Sequence, residues 1–323
     1  MYLRIKRGLG VLLATCSLTL AHAAWAEFPE KPLRLIVGYV PGGSADSIAR
    51  LFAQELGARL KQPVIVENKP GASGNIAATY VSRAAPDGYV MFLGSNATAT
   101  NMTLYKNLTY DLERDLAPVA LLSRFPNVVA VSPKLPVNNI GEFIAYAKAH
   151  PGAINFASSG SGSSTHLAGE LFASMTGIKM THVPYKGSAP ALTDMMAGQV
   201  DVMFDNAPSI YPYVKSGKVR GLAVSSVQRQ AFAPDLPTVA DTVPGYEVTS
   251  WYGLFVPAHT PDAVVEKLNG TLNDILREPT VREKLAFMYA EPAGGSVAQF
   301  KTFVGQEIQR WGALVKQSGA HVD

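Results

Sequence analysis

Cysteine is nearly absent from this 323-residue chain, and its one example, Cys16, stands close to the amino end. The remainder can form no disulfide, run no thiol chemistry and give no cysteine to a metal. Histidine is scarce too, and none of the six falls in an H-E-x-x-H or comparable ligand spacing. An apolar run long enough to cross a bilayer is also missing, since the longest, residues 9–21, is too short. Excess charge is lacking as well. The 28 Lys+Arg face 25 Asp+Glu, and Arg4, Lys6 and Arg7 all precede residue 27, so residues 27–323 carry 25 of each sign. Such balance gives no footing for nucleic acid or a membrane surface as partner.

Residues 1–26 read as an export signal. A basic head precedes the apolar stretch, and Ala24-Trp25-Ala26 is a small-x-small cleavage pattern. Cys16 belongs to this segment, and Thr15 occupies the place where a lipid-attachment site has a smaller residue. An exported chain without disulfides needs a sizeable core, and residues 27–323 are long enough for two ordinary domains.

Short apolar strands alternate with amphipathic helices from residue 33 onward, the pattern of an α/β protein with mainly parallel sheets and flanking helices. Strands are expected at 33–37, 64–67 and 89–93, with helices at 45–56 and 76–85. A polar connector at 101–115 leads to a second copy of the pattern. Its strands are expected at 128–131, 154–157, 179–183 and 200–204, its helices at 140–149, 165–175 and 190–197, and a return strand at 221–225. The tail is helical at 261–277, 280–289 and 297–318, with Thr260 capping the first of these. The resulting division is 1–26 signal, 27–125 first lobe, 126–227 second lobe, and 228–323 a return segment and helical tail packing on the first lobe.

Two strand-to-helix junctions stand out as seats for an anion. In the first, Pro41-Gly42-Gly43-Ser44 leads into a helix that Ser44 is placed to cap and whose first turn holds Asp46. Glycines let a ligand oxygen approach the backbone, and the N–H groups at a helix start have no partner in the chain and sit at the positive end of its dipole. The bland alternative is an ordinary glycine turn. The second runs from Ser158 through Gly162, Ser163, Ser164 and Thr165 to His166 and brings hydroxyl donors to a helix start. Its bland alternative is a flexible Gly/Ser linker. A third stretch, Tyr185-Lys186-Gly187-Ser188, offers an ammonium for a second carboxylate, or merely a solvated lysine. Asp205-Asn206, at a strand end, is a fourth candidate, in which Asp205 would repel an anion unless it orients donors or meets a ligand ammonium.

Tests for an enzyme come out negative. Ser161 is flanked by glycines one residue away on each side rather than two, so there is no G-x-S-x-G elbow. Thr165 replaces the third glycine of G-x-G-x-x-G, and no phosphate-binding G-x-x-x-x-G-K-[ST] occurs. A serine hydrolase working from the second loop would need His166 as its base.

Taken together, Pro41-Gly42-Gly43 with Asp46 and Ala49-Arg50, the run from Glu67 to Asn75, Pro86-Asp87-Gly88-Tyr89, His166-Leu167-Ala168-Gly169-Glu170, Val183-Pro184-Tyr185-Lys186-Gly187 and Gly198-Gln199-Val200-Asp201 resemble the Bug-type receptors of tripartite tricarboxylate transporters. The resemblance spans nearly all of residues 27–323 in order. It implies a two-lobed, type II periplasmic binding protein, monomeric and without cofactor or metal. Such a receptor would hold a small carboxylate in its interlobe cleft and deliver it to integral membrane transporter subunits. It maps the ligand contacts onto Gly42, Gly43 and Ser44 and onto Ser163, Ser164 and Thr165, with Asn75, Asn96 and Asp205 as further cleft positions. Tyr39, Pro41, Asp46, Ser158, Gly162, His166, Tyr185 and Lys186 complete the expected ligand-binding set. Competing readings are the exported serine hydrolase and a receptor that reports its ligand to a signalling partner instead of transporting it.

Overall fold

The computed structural model describes residues 28–318. The expected export signal and Cys16 lie outside the described residues. The chain begins with β1 (Leu33–Val37), α1 (Ser44–Leu60), β2 (Val64–Asn68), α2 (Asn75–Ser82), β3 (Val90–Ser95), α3 (Asn96–Leu104), the short α4 (Leu112–Asp115) and β4 (Leu116–Val131). It continues with α5 (Ile140–Ala149), β5 (Ile154–Ser158), α6 (Ser164–Thr176), β6 (Met180–Pro184), α7 (Ser188–Ala197), β7 (Val202–Asn206), α8 (Ala207–Lys215) and β8 (Arg220–Val224). The last elements are β9 (Thr249–Pro257), α9 (Asp262–Arg277), α10 (Pro279–Phe287), β10 (Glu291–Pro292) and α11 (Val297–Ser318).

The sheet runs β2-β1-β3-β9-β4-β7-β5-β6, with β8 and β10 pairing β4 off this path. Its two wings, β2-β1-β3 and β7-β5-β6, are parallel, as expected from strands such as LRLIV that are apolar on both faces and must be covered by helices on both. Its middle is antiparallel, so the sheet as a whole is mixed. β4 is the cause: it pairs β9 from Leu116 to Pro126 and β7 from Asn127 to Val131, passing from one half of the molecule into the other. Sequence periodicity shows only its last residues, because β4 is buried along nearly its whole length and gives no alternation to read. β9 is missed for the same reason. The stretch expected as a polar connector, 101–115, holds the last turn of α3 and all of α4, and Asn96, Thr98, Thr100 and Asn101 of α3 are buried.

Helices cover both faces. On one, α2, α3, α5, α6 and α11 share a single apolar cluster that runs from Ile36 and Phe92 to Phe156 and Phe172 and so joins the two halves. On the other, α1, α9 and α10 enclose one cluster around Phe52 and Leu254, and α7 and α8 another around Met203. Thr260 does not cap α9. Its hydroxyl donates to Pro257 O, and Pro261 takes the cap position.

One buried carboxylate pins α11 to β9. Glu307 Oε2 accepts from the indole N–H of Trp251 and of Trp311, each at 2.7 Å, and the residue is 4% exposed. Replacing it leaves two buried donors without an acceptor, at about 1–3 kcal/mol per group. Urea unfolding of Glu307→Ala should show a loss of about 2–4 kcal/mol, and an unchanged midpoint would contradict this role.

Candidate functional site

Each parallel strand ends by handing the chain to a helix, and five of these helix starts meet at one place. The wall of a small inner cavity includes Gly43 and Ser44 before and in α1, Ser95 and Asn96 at α3, Ser163 and Ser164 at α6, Ser188 at α7, and Asn206 before α8. Ser250, Trp251, Tyr252 and Phe125 close it from β9 and β4. Each helix start carries roughly half a positive charge. Among the described residues no charged side chain lines this cavity. Its positive potential therefore belongs to the backbone.

The two junctions singled out in the sequence face each other here. Gly42 N–H is used internally, donating to Asp46 Oδ2 at 3.1 Å, and Ser44 N–H reaches Ser209 Oγ at 2.8 Å. The N–H groups of Gly43 and Ser164, one from each junction, meet no acceptor among the described residues. A bridge of side chains spans the gap beside them. Ser164 Oγ donates to Asn206 Oδ1 (3.2 Å), Asn206 Nδ2 donates to Ser44 Oγ (3.1 Å) and Tyr252 OH (3.3 Å), and these two hydroxyls lie 2.6 Å apart.

The serine-rich turn divides its hydroxyls between structure and cavity. Ser163 Oγ donates to Gly160 O (2.6 Å), Thr165 Oγ1 accepts from Ser159 N–H (2.9 Å), and Ser158 Oγ accepts from Gly160 N–H (3.1 Å). Ser159 and Ser164 line the inner cavity. Gly162 has φ +93°, and a Cβ there would lie 2.5 Å from Asn101 Oδ1 and 2.7 Å from Leu104 Cδ2, so only glycine permits this approach to α3.

A wider outer cavity of about 210 Å³ shares Tyr39 and Ser159 with the inner one, whose volume is about 20 Å³. It is walled by Tyr105, Tyr185, Lys186 and the segment 71–73, where Ala72 and Ser73 hold φ of +45° and +51°. Such strain tends to sit at ligand clamps. Ser73 Oγ donates across the gap to Ser161 O at 2.5 Å, and Val40 N–H donates to Lys186 O at 3.1 Å. Lys186 is the one charged side chain among the described residues on either wall.

Of the expected set, Tyr39, Gly43, Ser44, Asn96, Ser163 and Ser164 lie on the inner cavity, and Tyr39, Tyr185 and Lys186 on the outer. Pro41, Gly42, Asp46, Ser158, Gly162, Thr165 and His166 sit behind these walls and shape the two turns. Burial works against ionisation of Asp46, but Arg50, Asn68 and Gly42 N–H outweigh it and hold the carboxyl below its ordinary range. Asn75 is in a buried network instead, accepting from Asn101 Nδ2 (2.7 Å) and Tyr110 OH (3.0 Å). His166 has Nδ1 bonded to Gly162 N–H and its ring stacked against His182, with Nε2 3.5 Å from Glu170 Oε1, so it cannot serve Ser161 or Ser163 as a base. Ser95, Ser250 and Tyr252 line the site without having been expected, and Ser188 and Asn206, named within candidate stretches but outside the expected ligand-binding set, line it too. A serine or asparagine directly after a buried strand was the available signal.

Asp205 is fully buried at the end of β7. Oδ1 accepts from Ser188 Oγ (2.7 Å) and Oδ2 has no partner. Burial pushes this carboxyl up to about 7, against the Ser188 hydroxyl and Asn206 N–H, which favour its charged form.

These features, two lobes of α/β structure with helix starts gathered in the cleft between them, define a type II periplasmic solute-binding protein. The chain belongs to the family described as the tripartite tricarboxylate transporter family receptor, whose model matches residues 48–320, and this family consists of periplasmic receptors rather than enzymes. Bordetella pertussis Protein BugT is 34% identical over 320 residues, covering 98% of each chain. The structure of R. palustris Rpa4515 with adipate superimposes with a TM-score of 0.89 at 38% identity, over 92% of this chain and 100% of that one. MatC from Rhodopseudomonas palustris with bound malate gives 0.86 at 33% identity, over 89% of this chain and 100% of the other.

A folded-state carboxyl raised above its ordinary value binds more protons than the unfolded chain, so its contribution to stability is lost as pH rises. Relative to Asp205→Asn, the wild type should lose stability between about pH 4 and 7, by up to about 1.4 kcal/mol per pH unit. Parallel denaturation curves across that range, with no change in the difference, would show that Asp205 is ionised throughout.

Proposed function

We propose that this protein is the periplasmic receptor of a tripartite tricarboxylate-type transporter. It seats a small organic acid by its carboxylate in the inner cavity and carries it as a monomer to the integral membrane subunits. In this reading residues 1–26 are the export signal, 27–125 and 126–227 are the two lobes, and 228–323 return to the first. The observation that carries it is the pair of unpartnered N–H groups, Gly43 and Ser164, on opposite walls of a cavity formed by five helix starts. A carboxylate accepts from both and is favoured by the dipoles behind them. The adipate and malate bound by the two related structures are acids of this kind.

The closed inner cavity has room for about one water. An acid therefore enters with the lobes apart, takes the place of direct contacts such as Ser44 to Asn206, and closes the lobes on itself by hinge motion. The arms of the β4 and β9 crossing, around Phe125 and Ser250, are the natural hinge. The remainder of the ligand extends into the outer cavity, toward the rings of Tyr39, Tyr105 and Tyr185 and the ammonium of Lys186.

Calorimetry against adipate, malate, acidic amino acids and aromatic acids should find at least one ligand with a Kd of about 10 μM or below. In Gly43→Val the new methyls, facing Ser188, should weaken that ligand at least about a hundredfold, a loss of about 2.7 kcal/mol, with an unchanged circular dichroism spectrum. A folded protein that binds none of these acids, or a valine variant with full affinity, would refute the proposal.

A further inference from the structure

Two stacked histidines stand directly behind the serine-rich turn. His166, on α6, and His182, on β6, lie face to face with ring centroids 4.0 Å apart, and Phe156 of β5 stacks on both. Each is tied to a different peptide of the turn. Gly162 N–H donates to His166 Nδ1 at 3.1 Å, so that nitrogen carries no proton and the other, Nε2, holds it, 3.5 Å from Glu170 Oε1. His182 Nε2 is 2.6 Å from Ser158 Oγ, which accepts Gly160 N–H at 3.1 Å.

We propose that His166 and His182 are positioning residues for this turn, holding it in its anion-receiving shape only while both imidazoles are neutral, so that acid loosens the turn and weakens ligand binding. The effect on ligand rests on the carboxylate-binding reading above. The effect on the turn does not.

Geometry carries the argument. A proton on His166 Nδ1 removes the acceptor of Gly162 N–H and turns an attraction into a clash of two donors. The pair cannot hold two protons readily, because two imidazolium rings at 4.0 Å repel in a buried setting. Glu170, on α6, favours a charge on His166, and among the described residues it is the charged group paired with either ring. β5 contributes Phe156 and the hydroxyl of Ser158, and the turn contributes only the peptides of Gly160 and Gly162. Burial, reinforced by His166, pushes His182 down to about 3 from its ordinary 6.5. A turn that opens frees His182 to protonate at its ordinary value. Each pH unit below about 6.5 therefore disfavours the closed turn by up to about tenfold, until about pH 3.

The wild-type chain labelled with ¹⁵N on histidine and glycine tests this without any ligand. Its His166 ring should show the Nε2–H tautomer, and the Gly160 and Gly162 amide signals should move with the same midpoint as an imidazole signal as pH falls from 7 to 4. Amides that stay in place while the imidazoles titrate would overturn the proposal. Adipate then serves as the probe of binding. The ratio of its Kd in wild type to that in His182→Gln should rise at least about tenfold between pH 7 and 4.5, the variant correcting for titration of adipate itself. A constant ratio would also overturn the proposal. Where adipate fails to bind at any pH, the failure falls on the carboxylate reading, and the amide titration decides the role of the histidines alone.

Discussion

An anion site without a cationic side chain depends on how many helix starts can be aimed at one point. In this protein five converge, each contributing a fraction of a charge, and two of them present the N–H groups of Gly43 and Ser164, which no described residue accepts. The rest of the structure serves that convergence. Parallel strands place their carboxyl ends on one side of each wing, and the connecting turns then deliver the helices to the same edge. The electrical neutrality of residues 27–323 is consistent with the proposed function, in which backbone dipoles supply the attraction and no surplus of lysine or arginine is called for.

Two long strands turn these wings into a clamp. β4 pairs strands of both halves and β9 lies along its first part, and their side chains alternate between the cleft and the opposite face. Phe125, Ser250 and Tyr252 line the inner cavity, whereas Trp251 turns its indole to Glu307 and α11. The crossing is thus braced from behind by a buried carboxylate while its front forms the floor of the site. Closure across the cleft uses contacts that tolerate no extra atoms, as at Gly162 against α3. Polar pairs such as Ser73 with Ser161 join the lobes through single hydrogen bonds, each worth only about 1 kcal/mol, which suits a closure that must reverse.

The sequence displayed a good part of this. Gly42-Gly43-Ser44 and the turn from Ser158 to Thr165 are visible because positive φ, close approach and helix capping demand particular residues at particular places. Three other helix starts left a fainter trace. Asn96 was expected only as a further cleft position, Ser188 and Asn206 only as parts of candidate stretches, and what matters about them is the direction in which their helices point. Ser44 illustrates the difference. Its position suggested a cap, but Gly43 takes that position, and the Ser44 hydroxyl instead joins Tyr252 and Asn206, residues more than 160 positions away in the case of Asn206. Asn75, expected at the cleft, is drawn into a network with Asn101 and Tyr110, because α3 occupies a stretch whose polar residues suggested a connector.

By itself the sequence determined the α/β class, the place of the two glycine- and serine-rich strand-to-helix junctions, and the family, since these follow from local steric rules and from short ordered motifs. Only the tertiary structure decided which N–H groups remain free, which hydroxyls face the cavity rather than hold the turns, and that His166 is a buried neighbour of His182 and not a base beside a serine. The reason is physical. Helix starts and glycine turns are encoded within a few residues, whereas the partners that use up or spare a donor arrive from strands and helices far along the chain.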